Sequence, residues 1–159
     1  MNSYISSIRN KIGKQKFIVP GTRIIIENDK GEFLFITRKD NGQLGLPAGS
    51  LEENETIEDC IKREVKEETG LELIELVAIG ISSNPKNETV IYTNGDLVQY
   101  FTVEFYSKKY RGELKVNDHD EISSAKFYSK EKIEMLPENE RRTFECLEFF
   151  RNKNQIKLG

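Results

Sequence analysis

The sequence predicts an α/β fold in which a mixed sheet lies between helical layers. Three observations carry that expectation. Apolar runs of strand length recur along the chain, two longer segments show helical spacing, and turns rich in Gly, Asn and Pro separate them.

Taken in order, Tyr4, Ile5, Ile8 and Ile12 recur at helical spacing and predict a short N-terminal helix within an extension over residues 1–16. Thr22 to Asn28 contains Ile24-Ile25-Ile26, a continuous apolar run expected of a central strand. Asn28-Asp29-Lys30-Gly31 reads as a turn that returns Phe33 to Arg38 as a second strand, and Asp40 to Gln43 as a loop. Thr56, followed three residues later by Asp59, marks a helix start. Gly70 marks its end, since glycine enters the left-handed conformation without steric penalty, so a helix is expected over residues 57–69. Leu73 to Ser82 is a strand, and Asn84-Pro85 an ordinary turn. Thr89 to Thr93 and Leu97 to Ser107 flank the hairpin signal Asn94-Gly95-Asp96. Glu121 to Tyr128 is a further strand. Ser129 caps a short helical turn, and Pro137 opens a final helix over 137–154 with Phe144, Leu147 and Phe150 inward.

No repeat, low-complexity tract or linker interrupts the 159 residues, so one domain is expected. A hydrophobic content of 36% beside 32% charged residues is ordinary for a soluble protein, and no apolar stretch reaches the length of a membrane span. Arg9 and Lys11 stand near the N-terminus without an apolar segment, which does not read as a secretory signal. Cys60 and Cys146 lack metal-type spacing and are expected to be buried, reduced thiols of a cytoplasmic protein. Ten of the 27 acidic residues lie between Glu52 and Glu75, opposed there by Lys62, Arg63 and Lys66. That field repels a nucleic-acid backbone and admits a small polyphosphate arriving with its own cation.

The chemistry concentrates in residues 49–71, GSLEENETIEDCIKREVKEETGL. On a helical wheel Ile57, Cys60, Ile61 and Val65 share the core face, and Glu64 and Glu68 fall inside that stripe, with Glu67 at its edge. Carboxylates turned toward an interior repel each other and cost several kcal/mol each in desolvation unless a cation compensates. Arg63 can pair with Glu67 one turn later but cannot neutralise all three. A hard divalent cation can, because Mg²⁺ takes oxygen ligands and keeps other positions for water or phosphate. A plain solvated charge run would instead sit on the opposite face.

Gly49, Glu55, Arg63, Glu64, Val65, Glu67, Glu68, Gly70 and Leu71 match every defined position of the Nudix box, and the segment resembles that family. Leu46-Pro47-Ala48-Gly49 is similar to its usual lead-in, with Ala48 where glycine is commoner, and the strands around Arg23 to Arg38 resemble its opening hairpin. The resemblance implies an α/β/α sandwich and a Mg²⁺- or Mn²⁺-dependent hydrolase that cleaves the diphosphate of a nucleoside diphosphate linked to another group. It implies Glu64, Glu67 and Glu68 as metal ligands, the Gly49 carbonyl as a further ligand, Arg63 as the residue orienting the carboxylates, and Glu55 as loop support. The general base is implied to be either Glu64 or a late acid. Asp118-His119-Asp120-Glu121 is the late candidate, with Glu121 favoured as metal ligand or base, and His119 read as incidental.

Arg23, Arg38 and Lys39 are candidates for phosphate contact, though each is equally read as a strand-end charge. Tyr92, Tyr100 and Phe101 are candidates for stacking a base, against the ordinary role of hairpin aromatics as cross-strand pairs. Pro85 lies fourteen residues past Leu71, near where a proline in that family accompanies ADP-ribose specificity. ADP-ribose, a sugar nucleotide and a nucleoside triphosphate all remain open as substrates. A nucleotide-binding sensor without turnover is the alternative, and would be expected to carry a damaged box or a DNA-binding segment. A homodimer through the N-terminal helix or the long hairpin is compatible with the pattern, which does not demand it.

Overall fold

In the computed structural model, which describes residues 3–159, the chain runs α1 (Ser3–Ile12), β1 (Phe17–Ile26), β2 (Phe33–Arg38), β3 (Leu44–Gly45), β4 (Ala48–Ser50), α2 (Ile57–Thr69), β5 (Glu72–Ser82), the single turn α3 (Pro85–Glu88), β6 (Thr89–Ile91), β7 (Leu97–Arg111), β8 (Ile122–Tyr128), a 3₁₀ turn (Lys130–Met135), α4 (Glu138–Lys153) and β9 (Lys157–Leu158). Met1 and Asn2 of the expected N-terminal extension lie outside the described residues.

The strands form two sheets. A mixed six-stranded sheet runs β4-β1-β7-β5-β9, with β6 beside β7, and an antiparallel three-stranded sheet runs β3-β2-β8. Parallel pairing of β1 with β7 sets Ile24 opposite Phe105 and Arg23 opposite Glu104. Both sheets lie between α2 and α4, which explains the unbroken run Ile24-Ile25-Ile26. Ile24 and Ile26 join Leu34 and Phe105 against Ile61 and Val65 of α2. Ile25 joins Phe33, Phe35 and Ile79 against Cys146 and Leu147 of α4.

The strand expected over Thr22 to Asn28 spans Phe17–Ile26, starting five residues earlier because Phe17 to Gly21 pair with Val98 to Thr102 despite containing Pro20 and Gly21. The two-residue strands β3 and β9 and the three-residue β4 carry no periodicity of their own. They exist through pairing with β2, β5 and β1. Asn84-Pro85 opens a helical turn, with the Asn84 side chain accepting from the Lys86 N–H, where a simple turn was expected. The last helix buries Leu147 and packs Phe144 and Phe150 against the same core.

The box helix α2 has the ends its sequence predicts. Thr56 accepts the Asp59 N–H, and Gly70 closes the helix at φ 79° with its N–H donated to the Lys66 carbonyl. The orphan carbonyls of its last turn are met from outside, as the end of a helix requires. Lys115 N–H donates to the Thr69 carbonyl, Asn117 and Asp118 N–H to the Glu67 carbonyl, and Asn117 Nδ2 to the Lys66 carbonyl. Gly70 permits this crossing, because a Cβ there would stand 2.6 Å from the Lys115 carbonyl oxygen and 2.8 Å from that of Glu113. Gly70→Ala therefore combines left-handed strain with a backbone clash and should lose roughly 2 kcal/mol or more of stability in denaturant unfolding. A wild-type midpoint in that variant would show that the 113–118 segment is not held as described.

Candidate active site

The amphipathic geometry of α2 places its glutamates as the wheel requires. Glu68 is buried (5% exposed), while the Glu64 side chain keeps 14% of its surface and that of Glu67 48%. Glu68 Oε2 accepts the Ala48 N–H at 3.2 Å, which ties the helix to the strand that carries Gly49. Gly49 lies directly over Glu64. A Cβ on Gly49 would sit 2.0 Å from the Glu64 carboxyl carbon, so the carboxylate occupies space that any other residue would fill.

Arg63 is the hub of this layer. Its Nε and Nη2 grip Glu55 at 2.7 and 3.1 Å, and Nη2 also reaches the Ser50 carbonyl at 3.2 Å. Its Nη1 donates to Glu64 Oε1 at 2.8 Å and to Glu67 Oε2 at 3.4 Å. Glu55 in turn accepts the Glu52 N–H, which closes the loop before the helix. The arginine hydrogen bond holds the Glu55 carboxyl below its usual range.

The inner glutamates titrate in the opposite sense. Burial raises Glu64 to about 7, against the pull of Arg63 and with help from Glu67 and Glu121. Burial likewise raises Glu68 well above the carboxylate range, with Glu64 adding repulsion, while the Ala48 N–H and Arg38 pull it down. Burial and mutual repulsion thus disfavour the ionised forms of this pair, and Arg63 offsets that only in part. Carboxylates beside a close-packed glycine loop suit a hard divalent cation, so Glu64, Glu67, Glu68 and the Gly49 carbonyl are the groups that fit one. No three acidic, histidine or cysteine side chains are gathered into a closed ligand set among the described residues. Arg63 pairs with Glu64 and Glu67.

The late acidic segment is brought to the same place. Asp118 accepts the Asp120 and Glu121 N–H groups in a tight turn, and the Glu121 carbonyl accepts the Lys39 N–H. Lys39 Nζ donates to the His119 carbonyl at 2.8 Å, so this lysine braces the loop at the end of β2. Arg38 pairs with Glu140 of α4. Tyr100 stands opposite Val19 on the strand flanking the Gly49 loop, and its hydroxyl meets that of the half-exposed Tyr92. Phe101 points to the other face of the sheet, 42% exposed. Pro85 opens the turn that delivers Glu88 to Arg23.

Arg23 does not belong with the phosphate-contact candidates. It is 4% exposed and bonded to Glu104 and Glu88, with Thr143 also donating to Glu104. Burial alone would lower the guanidinium pKa, but Glu104 and Glu88 more than offset it and the net direction is upward. A charged residue inside an apolar strand needed a buried carboxylate, and the register supplies Glu104 directly opposite. Sequence reasoning also passed over Glu140 and the Ser50 carbonyl. Neither carries a signal, since a first-turn glutamate reads as a helix-end charge and a carbonyl has no residue identity. Cys60 and Cys146 are both buried and free; burial raises the Cys60 thiol to about 12 and the Cys146 thiol to about 11.

A family model described as the NUDIX domain matches residues 18–148. The chain belongs to the Nudix family. Among curated proteins it is similar to an ADP-ribose pyrophosphatase of Methanocaldococcus jannaschii, 33% identical over 115 residues that cover 70% of this chain and 62% of that one. It is also similar to an NAD-capped RNA hydrolase, NudC, of Pseudomonas aeruginosa, 31% identical over 90 residues, 57% of this chain and 28% of that one. The chain thus spans less than two thirds of the length of these relatives. Among solved structures, a MutT protein from Methanosarcina mazei superposes with TM-score 0.63 at 26% identity, covering 89% of this chain and 99% of that one. A MutT Nudix hydrolase from Burkholderia pseudomallei gives TM-score 0.65 at 23% identity over 82% and 98%, a likeness of fold. The Nudix α/β/α sandwich is the architecture observed, its strands divided between two sheets. No helix among the described residues is long and apolar enough to cross a membrane.

Two outcomes follow from this electrostatic division. Arg23→Ala leaves Glu104 and Glu88 buried without their cation and should cost about 3–5 kcal/mol in urea unfolding; a neutral change would return Arg23 to the surface-charge reading. In chelator, Glu64 is protonated in the folded chain up to about pH 7 but releases its proton near pH 4.5 when unfolded. Its contribution to stability is therefore present below about 4.5 and lost as pH rises toward 7. Comparing melting temperatures of wild type and Glu64→Gln across that window should show the wild type falling relative to the variant. A constant difference between the two would contradict the raised value.

Proposed function

We propose that this protein is a divalent-metal-dependent hydrolase that cleaves the diphosphate bond of a nucleoside diphosphate linked to a second group, with ADP-ribose the first substrate to test. The observation that carries the reading is the Glu64–Glu68 pair turned inward beneath the Gly49 loop, two carboxylates that Arg63 and the Ala48 N–H compensate only in part. Family membership and the similarity to an ADP-ribose pyrophosphatase support it. The similarity to a hydrolase of NAD-capped RNA keeps other adenosine diphosphate derivatives in the same class.

In this reading Glu64, Glu67, Glu68 and the Gly49 carbonyl hold Mg²⁺ or Mn²⁺, with Glu121 at its rim. When bound, the cation supplies charge neutralisation for the diphosphate and lowers the pKa of water. Arg63 keeps the carboxylates oriented through Glu55 and the Ser50 carbonyl. A proton must leave the attacking water, and a carboxylate whose pKa lies near the working pH serves best as acceptor. Glu64 and, on the facing loop, Glu121 are the two candidate acceptors. Arg38 would contact the diphosphate, Lys39 would do so only by leaving the His119 carbonyl, and Tyr92 remains the candidate to stack a base.

The test is phosphate release, coupled to a phosphatase, from ADP-ribose, sugar nucleotides, NAD, NAD-capped oligonucleotide and nucleoside triphosphates, each with Mg²⁺, Mn²⁺ or chelator. Metal-dependent cleavage of one class is expected, and Glu67→Gln should lower turnover at least about a hundredfold while the melting curve stays close to wild type. Tight nucleotide binding without cleavage would make the protein a sensor. Undiminished turnover in Glu67→Gln would refute the metal assignment.

A further inference from the structure

Glu140 is a carboxylate taken out of water, 4% exposed, in the first turn of α4. Such a group needs donors matched to both oxygens. Its partners come from two other elements rather than from its own helix. Oε2 accepts the Leu46 N–H at 2.6 Å, and Oε1 accepts Arg38 Nη2 at 2.5 Å. Leu46 begins the Leu46-Pro47-Ala48-Gly49 segment that covers Glu64, and the Pro47 carbonyl is itself fixed by the Ile24 N–H at 3.0 Å. Arg38 packs against the neighbouring strand. A Cβ on Gly45 would lie 2.4 Å from Arg38 Nη1, so the guanidinium lies in the space beside Gly45.

Arg38 nevertheless keeps 29% of its side-chain surface, and a guanidinium carries more donors than one carboxylate oxygen takes up. Its guanidinium lies against Gly45, three residues before Ala48, whose N–H is donated to Glu68. Here one carboxylate ties a phosphate-type arginine and the glycine loop to a single point.

We propose that Glu140 is a positioning residue, holding the Arg38 guanidinium in register with the Leu46–Gly49 loop so that it meets the substrate's diphosphate. This rests on the reading that the site takes a diphosphate. Glu140→Gln keeps an oxygen for the Leu46 N–H but gives up the charge that holds Arg38. Arg38→Met removes the guanidinium while filling its slot.

The experiment compares wild type, Glu140→Gln, Arg38→Met and the double variant. Affinity for inorganic pyrophosphate is measured by calorimetry with Mg²⁺ present, and KM and kcat are measured on the best substrate of the panel. Each single variant should weaken pyrophosphate binding and raise KM about tenfold, with kcat within about twofold. The double variant should be no worse than Arg38→Met alone. If Glu140→Gln fails to fold alone, the double variant still decides. Equality with Arg38→Met supports the proposal, and a further loss overturns it. Wild-type KM and pyrophosphate affinity in Glu140→Gln, or losses that multiply in the double, overturn the positioning role while leaving the hydrolase intact. A wild type that cleaves nothing yet binds pyrophosphate through both residues defeats the hydrolase reading and spares this one. A wild type that neither cleaves nor binds pyrophosphate overturns both.

Discussion

The contact of Arg63 with Glu55, Glu64, Glu67 and the Ser50 carbonyl is what the site depends on. Without a cation at that point, Glu64 and Glu68 would face the interior with mutual repulsion added to their desolvation, terms of several kcal/mol each. With it, the loop before α2, the helix and the Gly49 strand become one unit. Yet burial keeps the pKa values of Glu64 and Glu68 raised even with Arg63 bonded to Glu64. The site is therefore stable enough to fold and still deficient in positive charge, the condition a divalent cation relieves.

Two arginines on neighbouring layers show how burial decides the role of a charge. Arg23 and Glu104 face each other across β1 and β7 and, with Glu88, close off from water. Arg38 is matched to Glu140 but remains partly open. The first arrangement fixes the α4 face of the sheet, where losing one partner is expensive and keeping both adds little. The second leaves donors at the rim of the acidic site. The 113–121 segment completes that rim, because the carbonyls at the end of α2 need its N–H groups whether or not the site is occupied. Helix capping thereby places Glu121 beside the box.

Much of this was legible because the signals are local. Thr56 with Asp59, and Gly70, mark the ends of α2, and the wheel puts Glu68 inside and Glu67 at the edge, as the burial shows. What the sequence hid is set by pairing between distant residues. β3, β4 and β9 are too short to have a period, and the start of β1 is disguised by Pro20 and Gly21 until β7 is laid beside it. Arg23 read as a phosphate-contact or strand-end charge because its partner lies eighty-one residues away. Glu140 gave no sign, since its two contacts reach elements that only the fold brings near α4.

The most direct test of the central claim is where a divalent cation settles. Crystals soaked in Mn²⁺ and measured at the manganese absorption edge should show anomalous density bounded by Glu64, Glu68 and the Gly49 carbonyl, with Arg63 still joined to Glu55. Density elsewhere, or none at these glutamates under conditions that saturate other carboxylates, would contradict the view that the inward charge of α2 exists to hold a metal ion.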